Sequence, residues 1–252
     1  MNPAREAARA IWQAGVDAVG GYTSVERALI DVPRPDLIVA VGKAAAPMAR
    51  AALDRFGPLP SLVVTKDGHA EELPNGIDVM EAAHPVPDER SLAAGRALRE
   101  AVEAMSPESN LLLLVSGGSS SLAEDLVDGT TLDDLARLNR RLLSQGLDIT
   151  AMNAERRKLS RIKGGGLLSR FRGRRLDVLA ISDVPGDDLN VIGSGIGVPP
   201  DRPGVQARII ASNRIAREAA AHHALALGKD VLENAESLHD DLEALGPRLG
   251  DK

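Results

Sequence analysis

The sequence predicts an α/β fold built on a mostly parallel β-sheet. Short apolar runs such as LIVAV and LLLLV alternate along the chain with longer segments of helical periodicity. Several of these runs are apolar at every position, which is typical of strands that are buried on both faces. Together these observations indicate βα units, in which helices cover both sides of a parallel sheet.

The predicted strands are apolar segments that stop at turn residues. The first, Leu37–Val41, is rich in β-branched residues and stops at Gly42. The most hydrophobic, Leu111–Val115, stops at a Ser-Gly-Gly turn. The others are Leu62–Thr65, Ile77–Met80, Leu176–Ser182 and Arg208–Ala211.

The predicted helices are recognised by their apolar spacing and by the residues that start or stop them. In Pro3–Ala18, small and apolar residues recur on one face. Leu132–Gln145 repeats leucine at helical spacing with Thr131 as its N-cap, and Asn153 can cap a further helix that ends near Ile162. The remaining helices are Ala44–Phe56, Pro87–Met105, Asn213–Leu227 and Ala235–Leu245.

Composition excludes several classes of protein. The chain has no cysteine, which removes disulfide scaffolds, zinc ribbons, iron–sulfur clusters and thiol nucleophiles. Its net charge of -6 and its aromatic content of 2% argue against a nucleic-acid partner. The longest apolar run, Leu111–Val115, is far too short to span a membrane, so we expect no membrane partner and a cytoplasmic location.

We expect residues 1–228 to form one α/β domain. The remaining residues, 229–252, are charged and contain no predicted strand. We interpret them as a segment that leads to a second domain, missing from this chain. Residues 199–204, PPDRPG, are the clearest linker candidate because Pro and Gly favour irregular backbone.

The carboxyl ends of the strands are the first place to look for a site, because open parallel sheets bind their ligands there. Gly42 and Lys43 follow the first predicted strand. An ammonium group beside a helix N-terminus attracts anions. A surface lysine that merely follows a turn glycine is the alternative interpretation.

A Ser/Gly-rich loop follows the most hydrophobic strand. It comprises Ser116, Gly117, Gly118, Ser119 and Ser120. The glycines allow close backbone approach, and the N–H and hydroxyl groups can surround phosphate oxygens. The loop lacks the P-loop pattern, and a simple connection between two elements is the alternative.

Three aspartates follow the strand Leu176–Ser182. Asp183 lies nearest to the strand end, where a carboxylate can hold Mg²⁺ or orient a substrate hydroxyl. Asp187 is a second candidate metal ligand. The alternative is an Asp-rich turn in which Asp187 or Asp188 caps the next helix.

Cations are concentrated in residues 156–163, RRKLSRIK, against the acidic balance of the chain. Lys163 is followed by three glycines, beginning with Gly164, and this pattern resembles an anion-binding turn. A solvated helix face is the alternative for the charge run. Elsewhere, His84 can line a pocket or serve a structural role.

These features together are the parts that phosphoryl transfer requires. That reaction needs donors around phosphate oxygens, a metal ion and a group that orients the attacking hydroxyl. The strand-end lysine, the Ser/Gly loop, the basic glycine turn and the carboxylate cluster can supply them.

The same segments resemble the glycerate 2-kinase family, which includes proteins named hydroxypyruvate reductases. Five motifs stand in the order of that family: VGKAAAPMA (41–49), AAHPVPDERSLAAGR (82–96), LVSGGSSSL (114–122), NAERRKLSRIKGGGL (153–167) and ISDVPGDD (181–188). HPVPDE and SDVPGDD are the most specific of these motifs.

This resemblance implies a Rossmann-like three-layer α/β/α sandwich and the phosphorylation of D-glycerate to 2-phosphoglycerate with ATP and Mg²⁺. It implies that Lys43 and Asp183 are catalytic, and from the carboxylate cluster we expect Asp183 and Asp187 to bind the metal. The resemblance also places Ser116–Ser120 and Lys163 at the binding site. The expected substrate- and nucleotide-binding residues are Gly42, His84, Ser116, Gly117, Gly118, Ser119, Ser120, Lys163, Gly164 and Asn213.

The sequence departs from the family pattern in two respects. Ser119 stands where the family loop has a third glycine, and the family's C-terminal domain, with an arginine that neutralises transition-state charge, has no counterpart. Two other functions therefore stay open: a binding module without catalysis, and a hydroxypyruvate reductase, although no GxGxxG fingerprint is present. A homodimer and an association with a separate C-terminal half are both open as well.

Overall fold

The fold is described from a computed structural model, which covers residues 2–70, 73–144, 149–236 and 243. Six parallel strands form one sheet in the order β3-β2-β1-β4-β5-β6. The strands are β1 (Leu37–Val41), β2 (Ser61–Lys66), β3 (Asp78–Ala82), β4 (Asn110–Val115), β5 (Arg175–Ile181) and β6 (Val205–Ala211). The predicted α/β fold with a parallel sheet is confirmed.

Eight helices accompany the sheet in the described residues. They are α1 (Pro3–Ala18), α2 (Gly21–Ala28), α3 (Ala45–Phe56), α4 (Glu89–Glu103), α5 (Ser119–Leu122), α6 (Leu132–Ser144), α7 (Ile149–Arg157) and α8 (Asn213–Ala226). None of these described helices is long and apolar enough to cross a membrane.

The chain forms two compact units. The described residues between 19 and 212 form the larger unit, which contains the whole sheet, and the described residues within 1–18 and 213–252 form the smaller one. Within the smaller unit, α1 packs closely against α8. A methyl group added to Gly15 would lie only 3.0 Å from the carbonyl oxygen of Ala216. Glycine at this position therefore allows the two helices to approach each other.

Both faces of the sheet are covered, as the apolar runs predict. In β4, Leu111 and Leu113 belong to one buried cluster, whereas Leu112 and Leu114 belong to the other. This split follows from the alternation of side chains along a strand. Buried residues of α4 complete the first cluster and buried residues of α3 complete the second, which gives the three layers of an α/β/α sandwich.

The order of the strands reverses between β1 and β4. From β1 the chain continues to β2 and β3 on one side, and it then returns to place β4, β5 and β6 on the other side. The register pairs Ala40 with Leu114 and Val41 with Val115, so β1 and β4 end at the same level. The loops that follow these two strands therefore start beside each other, at the position where such sheets bind ligands.

Several elements differ from their predicted bounds. The helices α2 and α5 were not predicted, since each is short and lacks a long apolar repeat. Asn153 lies inside α7 rather than at its start, and its side-chain oxygen accepts a hydrogen bond from Ser194. Thr131 is confirmed as an N-cap, because its Oγ1 accepts from the N–H of Asp134. The predicted helix Ala235–Leu245 falls largely outside the described residues.

Candidate active site at the carboxyl edge of the sheet

The loops that follow β1 and β4 are joined by hydrogen bonds. The N–H of Lys43 donates to the carbonyl oxygen of Gly117 over 2.9 Å, and the N–H of Ala44 donates to Oγ of Ser116 over 3.0 Å. Gly42 has a φ of 128°, and a methyl group there would lie 2.2 Å from Oγ of Ser116. Glycine is therefore required at position 42 both for its backbone and for the space that Ser116 occupies.

Side chains from three other loops surround the glycines of the β4 loop. A methyl group on Gly117 would lie 2.0 Å from Oδ2 of Asp183, which follows β5. A methyl group on Gly118 would lie 3.0 Å from Cγ of Lys43 and 3.1 Å from Cδ2 of His84, which follows β3. The structure thus brings together predicted site residues from the ends of four strands.

Charge at this edge of the sheet is mixed and accessible. Lys43 and Asp183 are both exposed, and neither forms an ion pair with a described residue. Burial lowers the pKa of His84 below its ordinary value of 6.5, the positive charges of Lys43 and Lys66 lower it further, and Asp183 opposes them. The neutral imidazole is therefore favoured beside a cation and a carboxylate that are both free to bind a ligand.

The Ser/Gly loop keeps several donors available. The N–H groups of Gly117 and Gly118 donate to no residue that the structure describes. Gly118 has a φ of 87°, which only glycine adopts readily. Ser119 is buried beside Gly193, and its hydroxyl has no hydrogen-bond partner among the described residues. The hydroxyl of Ser120 likewise makes no such bond, so this loop can supply N–H and O–H donors to an anion.

The aspartates after β5 have different surroundings. Asp183 points at Gly117, as described, whereas Oδ1 of Asp188 accepts hydrogen bonds from the N–H and the amide of Asn190. These bonds lower the pKa of Asp188 and fit the turn interpretation for that residue. Asp187 has a φ of 53°. Within the described ranges, no three His, Cys, Asp or Glu side chains cluster as a ready-made metal site.

Lys163 is held in a buried ion pair. Its ammonium donates to Oε2 of Glu124, while the hydroxyl of Ser160 donates to Oε1 of the same carboxylate. The N–H groups of Gly164 and Gly165 donate to the carbonyl oxygens of Ser194 and Gly195. These backbone donors are used within the protein, so the glycine turn does not present them to a ligand.

Asn213 begins α8 and belongs to the smaller compact unit. Its side-chain oxygen accepts a hydrogen bond from Nε of Arg217. Its predicted role in binding stays a prediction.

Sequence reasoning missed two residues that the fold brings to this region. Glu124 looks like any acidic residue after a short apolar segment, and only the fold shows that it pairs with Lys163. Ser194 has a φ of 58° in a turn whose glycines can be seen in the sequence. The sequence does not indicate that a serine in this turn adopts a positive φ.

A family model described as "Domain of unknown function (DUF4147)" matches residues 7–243. The chain is 40% identical over 165 residues to a D-glycerate 2-kinase of Thermotoga maritima. It is 42% identical over 197 residues to a protein of Agrobacterium vitis that is provisionally named a hydroxypyruvate reductase. These matches cover 65% and 76% of this chain but only 40% and 44% of the relatives.

The fold is also that of a solved relative. A crystal structure of glycerate kinase from Thermotoga maritima superimposes with a TM-score of 0.83 and 30% identity, over 88% of this chain and 62% of that one. The chain thus spans less than two thirds of the relatives that it matches. It belongs to the DUF4147 family, and its relatives include proteins named glycerate 2-kinases, as the motifs predicted.

Proposed function

We propose that this chain takes part in the ATP-dependent phosphorylation of D-glycerate at its 2-hydroxyl, which gives 2-phosphoglycerate. The observation that carries the proposal is the meeting of Lys43, His84 and Asp183 around Gly117 and Gly118 at the switch between β1 and β4. The relatives named glycerate 2-kinases support the same reaction.

Each group has a role that its position allows. The ammonium of Lys43 and the free N–H groups of Gly117 and Gly118 would bind phosphate oxygens and neutralise the charge that phosphoryl transfer moves. Asp183 would orient the attacking hydroxyl of glycerate. The oxygen of that hydroxyl forms the new bond to the γ-phosphorus, its proton passes to the carboxylate of Asp183, and the bond between this phosphorus and the ADP oxygen breaks.

We also propose that Asp183 and Asp187 hold Mg²⁺. The exposed carboxylate of Asp183 has no ion-pair partner among the described residues, and one or two carboxylates with waters and phosphate oxygens are the usual Mg²⁺ ligands. A bound Mg²⁺ would supply positive charge to the β- and γ-phosphates.

The chain matches only part of the length of its kinase relatives, and this affects what activity we propose for it. Because the matched segment spans only 40% of the Thermotoga kinase, we propose that full turnover requires a further part of the protein, linked to this chain or bound to it. In this proposal residues 1–228 form the α/β domain, residues 229–252 lead towards the further part, and the enzyme acts in the cytoplasm. A homodimer is a second way to complete the site.

A coupled assay of 2-phosphoglycerate formation, with titration calorimetry of ATP-Mg and D-glycerate, tests the proposal. We expect Lys43→Met to weaken ATP-Mg binding, and Asp183→Asn to abolish turnover with a smaller effect on binding. Lys158→Met is the matched control, because Lys158 is exposed and, among the described residues, pairs with Glu155 alone. Wild-type protein that binds neither ligand, or variants that match the wild type, would contradict the proposal.

Two other functions have their own tests. Binding of both ligands without turnover, also after addition of the remaining part of a relative, would favour a binding module. The name of the Agrobacterium relative favours a hydroxypyruvate reductase. The turn after β1 reads Gly-Lys-Ala-Ala-Ala rather than the dinucleotide fingerprint, so we expect no change in nicotinamide absorbance with hydroxypyruvate.

A further inference from the structure

A small cavity lies beside the candidate active site and is not used in the proposed chemistry. Its volume is about 80 Å³. Its lining includes Pro85, which directly follows His84, and Ser120, which belongs to the Ser/Gly loop. The cavity is therefore next to the loops that carry the proposed phosphoryl-transfer groups.

The polar lining of this cavity comprises two cations, three hydroxyls and an amide: Arg156, Lys163, Ser120, Ser121, Ser194 and Asn139. The hydroxyls of Ser121 and Ser194 already donate to the carbonyl oxygen of Gly118 and to Oδ1 of Asn153, whereas that of Ser120 donates to no described residue. The remaining lining residues are two prolines and a leucine, so no carboxylate of the described residues faces the cavity. A small space with this lining favours a compact anion, since an apolar or cationic ligand would leave the guanidinium of Arg156 uncompensated.

Arg156 carries most of this argument. It is half-buried, and its Nε donates to Oδ1 of Asn139 over 2.7 Å. It forms no ion pair with any residue that the structure describes. Burial lowers the pKa of its guanidinium. An anion from solution would supply the missing partner.

Lys163 contributes in a different way. Its ammonium is already paired with Glu124, so its charge is largely neutralised. The cavity therefore has a net positive charge that comes from Arg156. This distinction makes Arg156, rather than the predicted Lys163, the residue on which anion binding depends.

A second observation at the same place indicates a site. Ser194 is a buried non-glycine residue with a φ of 58° and a ψ of 28°, a conformation that costs roughly 1 kcal/mol. Its hydroxyl donates to Oδ1 of the buried Asn153. Backbone strain of this kind is concentrated at ligand sites, and here the strained residue lies on the cavity wall.

We propose that this cavity binds the carboxylate of the small hydroxy acid that accepts the phosphoryl group, with Arg156 as its cationic partner. The inference rests on the proposed function and names the subsite that would recognise the acid. The volume suits a carboxylate or one phosphoryl group and is too small for a triphosphate. A carboxylate held here places the rest of a three-carbon acid beside the Ser/Gly loop.

Equilibrium titration of the purified protein with D-glycerate, glyceramide and inorganic phosphate tests the subsite. We expect wild-type protein to bind D-glycerate at least about tenfold more tightly than glyceramide, which lacks the negative charge. Arg156→Met should weaken D-glycerate binding about 10- to 100-fold and remove the preference over glyceramide. Arg156→Lys should keep part of the affinity for D-glycerate that Arg156→Met loses, and Lys158→Met should bind D-glycerate as the wild type does.

The outcomes separate the subsite from the kinase reaction. Arg156-dependent binding of D-glycerate without any phosphorylation would support the subsite and contradict the proposed function. Kinase activity whose KM for D-glycerate is unchanged by Arg156→Met would support the proposed function and contradict the subsite. Equal affinity of the wild type for D-glycerate and glyceramide would overturn the subsite without any variant. Arg156-dependent binding of inorganic phosphate alone would also overturn it, in favour of a phosphoryl pocket.

Discussion

The ammonium of Lys163 donates a hydrogen bond to the carboxylate of Glu124, and the two side chains are only 3% and 0% exposed. The pair joins the segment after α5 to the segment after α7. Because both charges are removed from water, each depends on the other for its stability.

Loss of one member of this pair should destabilise the protein strongly. We expect Glu124→Leu to lower the free energy of unfolding by about 3–5 kcal/mol, because it leaves a buried ammonium without a partner. The double variant Glu124→Leu/Lys163→Met should lose much less free energy of unfolding, since it leaves no buried charge without a partner. Urea unfolding followed by circular dichroism measures both. Glu155→Gln, in an exposed pair, is the control and should change the free energy by less than about 1 kcal/mol. A double variant as unstable as the single one would contradict this account.

Gly117→Ala should displace Asp183. The new methyl group would lie 2.0 Å from Oδ2, so the carboxylate must move by an ångström or more. We expect phosphorylation of D-glycerate to fall about 100-fold, because reacting groups tolerate little misplacement. Gly129→Ala is the comparison, since Gly129 has a φ of 78° and no neighbour within 4 Å. It should lower the free energy of unfolding by about 1 kcal/mol without an effect on the reaction. Unchanged activity in Gly117→Ala would show that Asp183 is not required where it lies.

Removal of the charge on Lys43 and removal of the charge on Asp183 should shift the pKa of His84 in opposite directions. Lys43→Met removes a nearby positive charge and should raise the pKa, whereas Asp183→Asn removes a negative charge and should lower it. Titration of the imidazole signals by NMR measures both shifts. His69 and His222 serve as internal references. A shift of the same sign in both variants would mean that these residues do not lie around His84 as described.

The same depressed pKa predicts a pH dependence of stability. In the unfolded chain His84 binds a proton near its ordinary pKa of 6.5, whereas the folded protein binds it only at lower pH. The contribution to stability is therefore complete above the unfolded pKa and is lost as the pH falls through the folded pKa. His84→Gln should flatten this part of the profile in urea unfolding between about pH 7 and pH 4. An identical profile in the variant would rule His84 out as a source of acid sensitivity.

Asp88 should stabilise the start of α4. Its Oδ1 accepts from the N–H groups of Arg90 and Ser91, and Oγ of Ser91 accepts from the N–H of Asp88. We expect Asp88→Ala to lower the free energy of unfolding by about 1 kcal/mol. Glu108→Ala, at an exposed loop position, should have almost no effect. Equal effects of the two substitutions in thermal unfolding would argue against the cap.

The sheet could be predicted because its strands depend on local sequence. Runs such as LLLLV are apolar at every position, and they can be buried only between two layers of helices. The loops that carry Lys43, Ser116 and Asp183 could be chosen because each follows a strand that the sequence predicts. Parallel pairing then brings their starting points to one edge.

Other features could not be predicted because they depend on partners that are distant in sequence. The pairing of Lys163 with Glu124 is set by the path of the chain between α5 and α7, which no local pattern indicates. The same is true of the half-buried Arg156, whose position in a charge run is equally typical of a solvated helix. Asparagine is a common N-cap, so the sequence predicts that α7 starts at Asn153. In the structure Asn153 lies inside the helix, and its amide oxygen accepts a hydrogen bond from Ser194.

The fit between Gly42 and Ser116 makes the two loops interdependent. A side chain at position 42 would meet the backbone of Ser116 as well as its hydroxyl, and a change in the backbone of either loop would break the hydrogen bonds from Lys43 and Ala44. A chimera with a relative that exchanged only one loop would therefore lose the geometry of both. Exchanging them together would preserve it, so the pair behaves as a single transferable part of the protein.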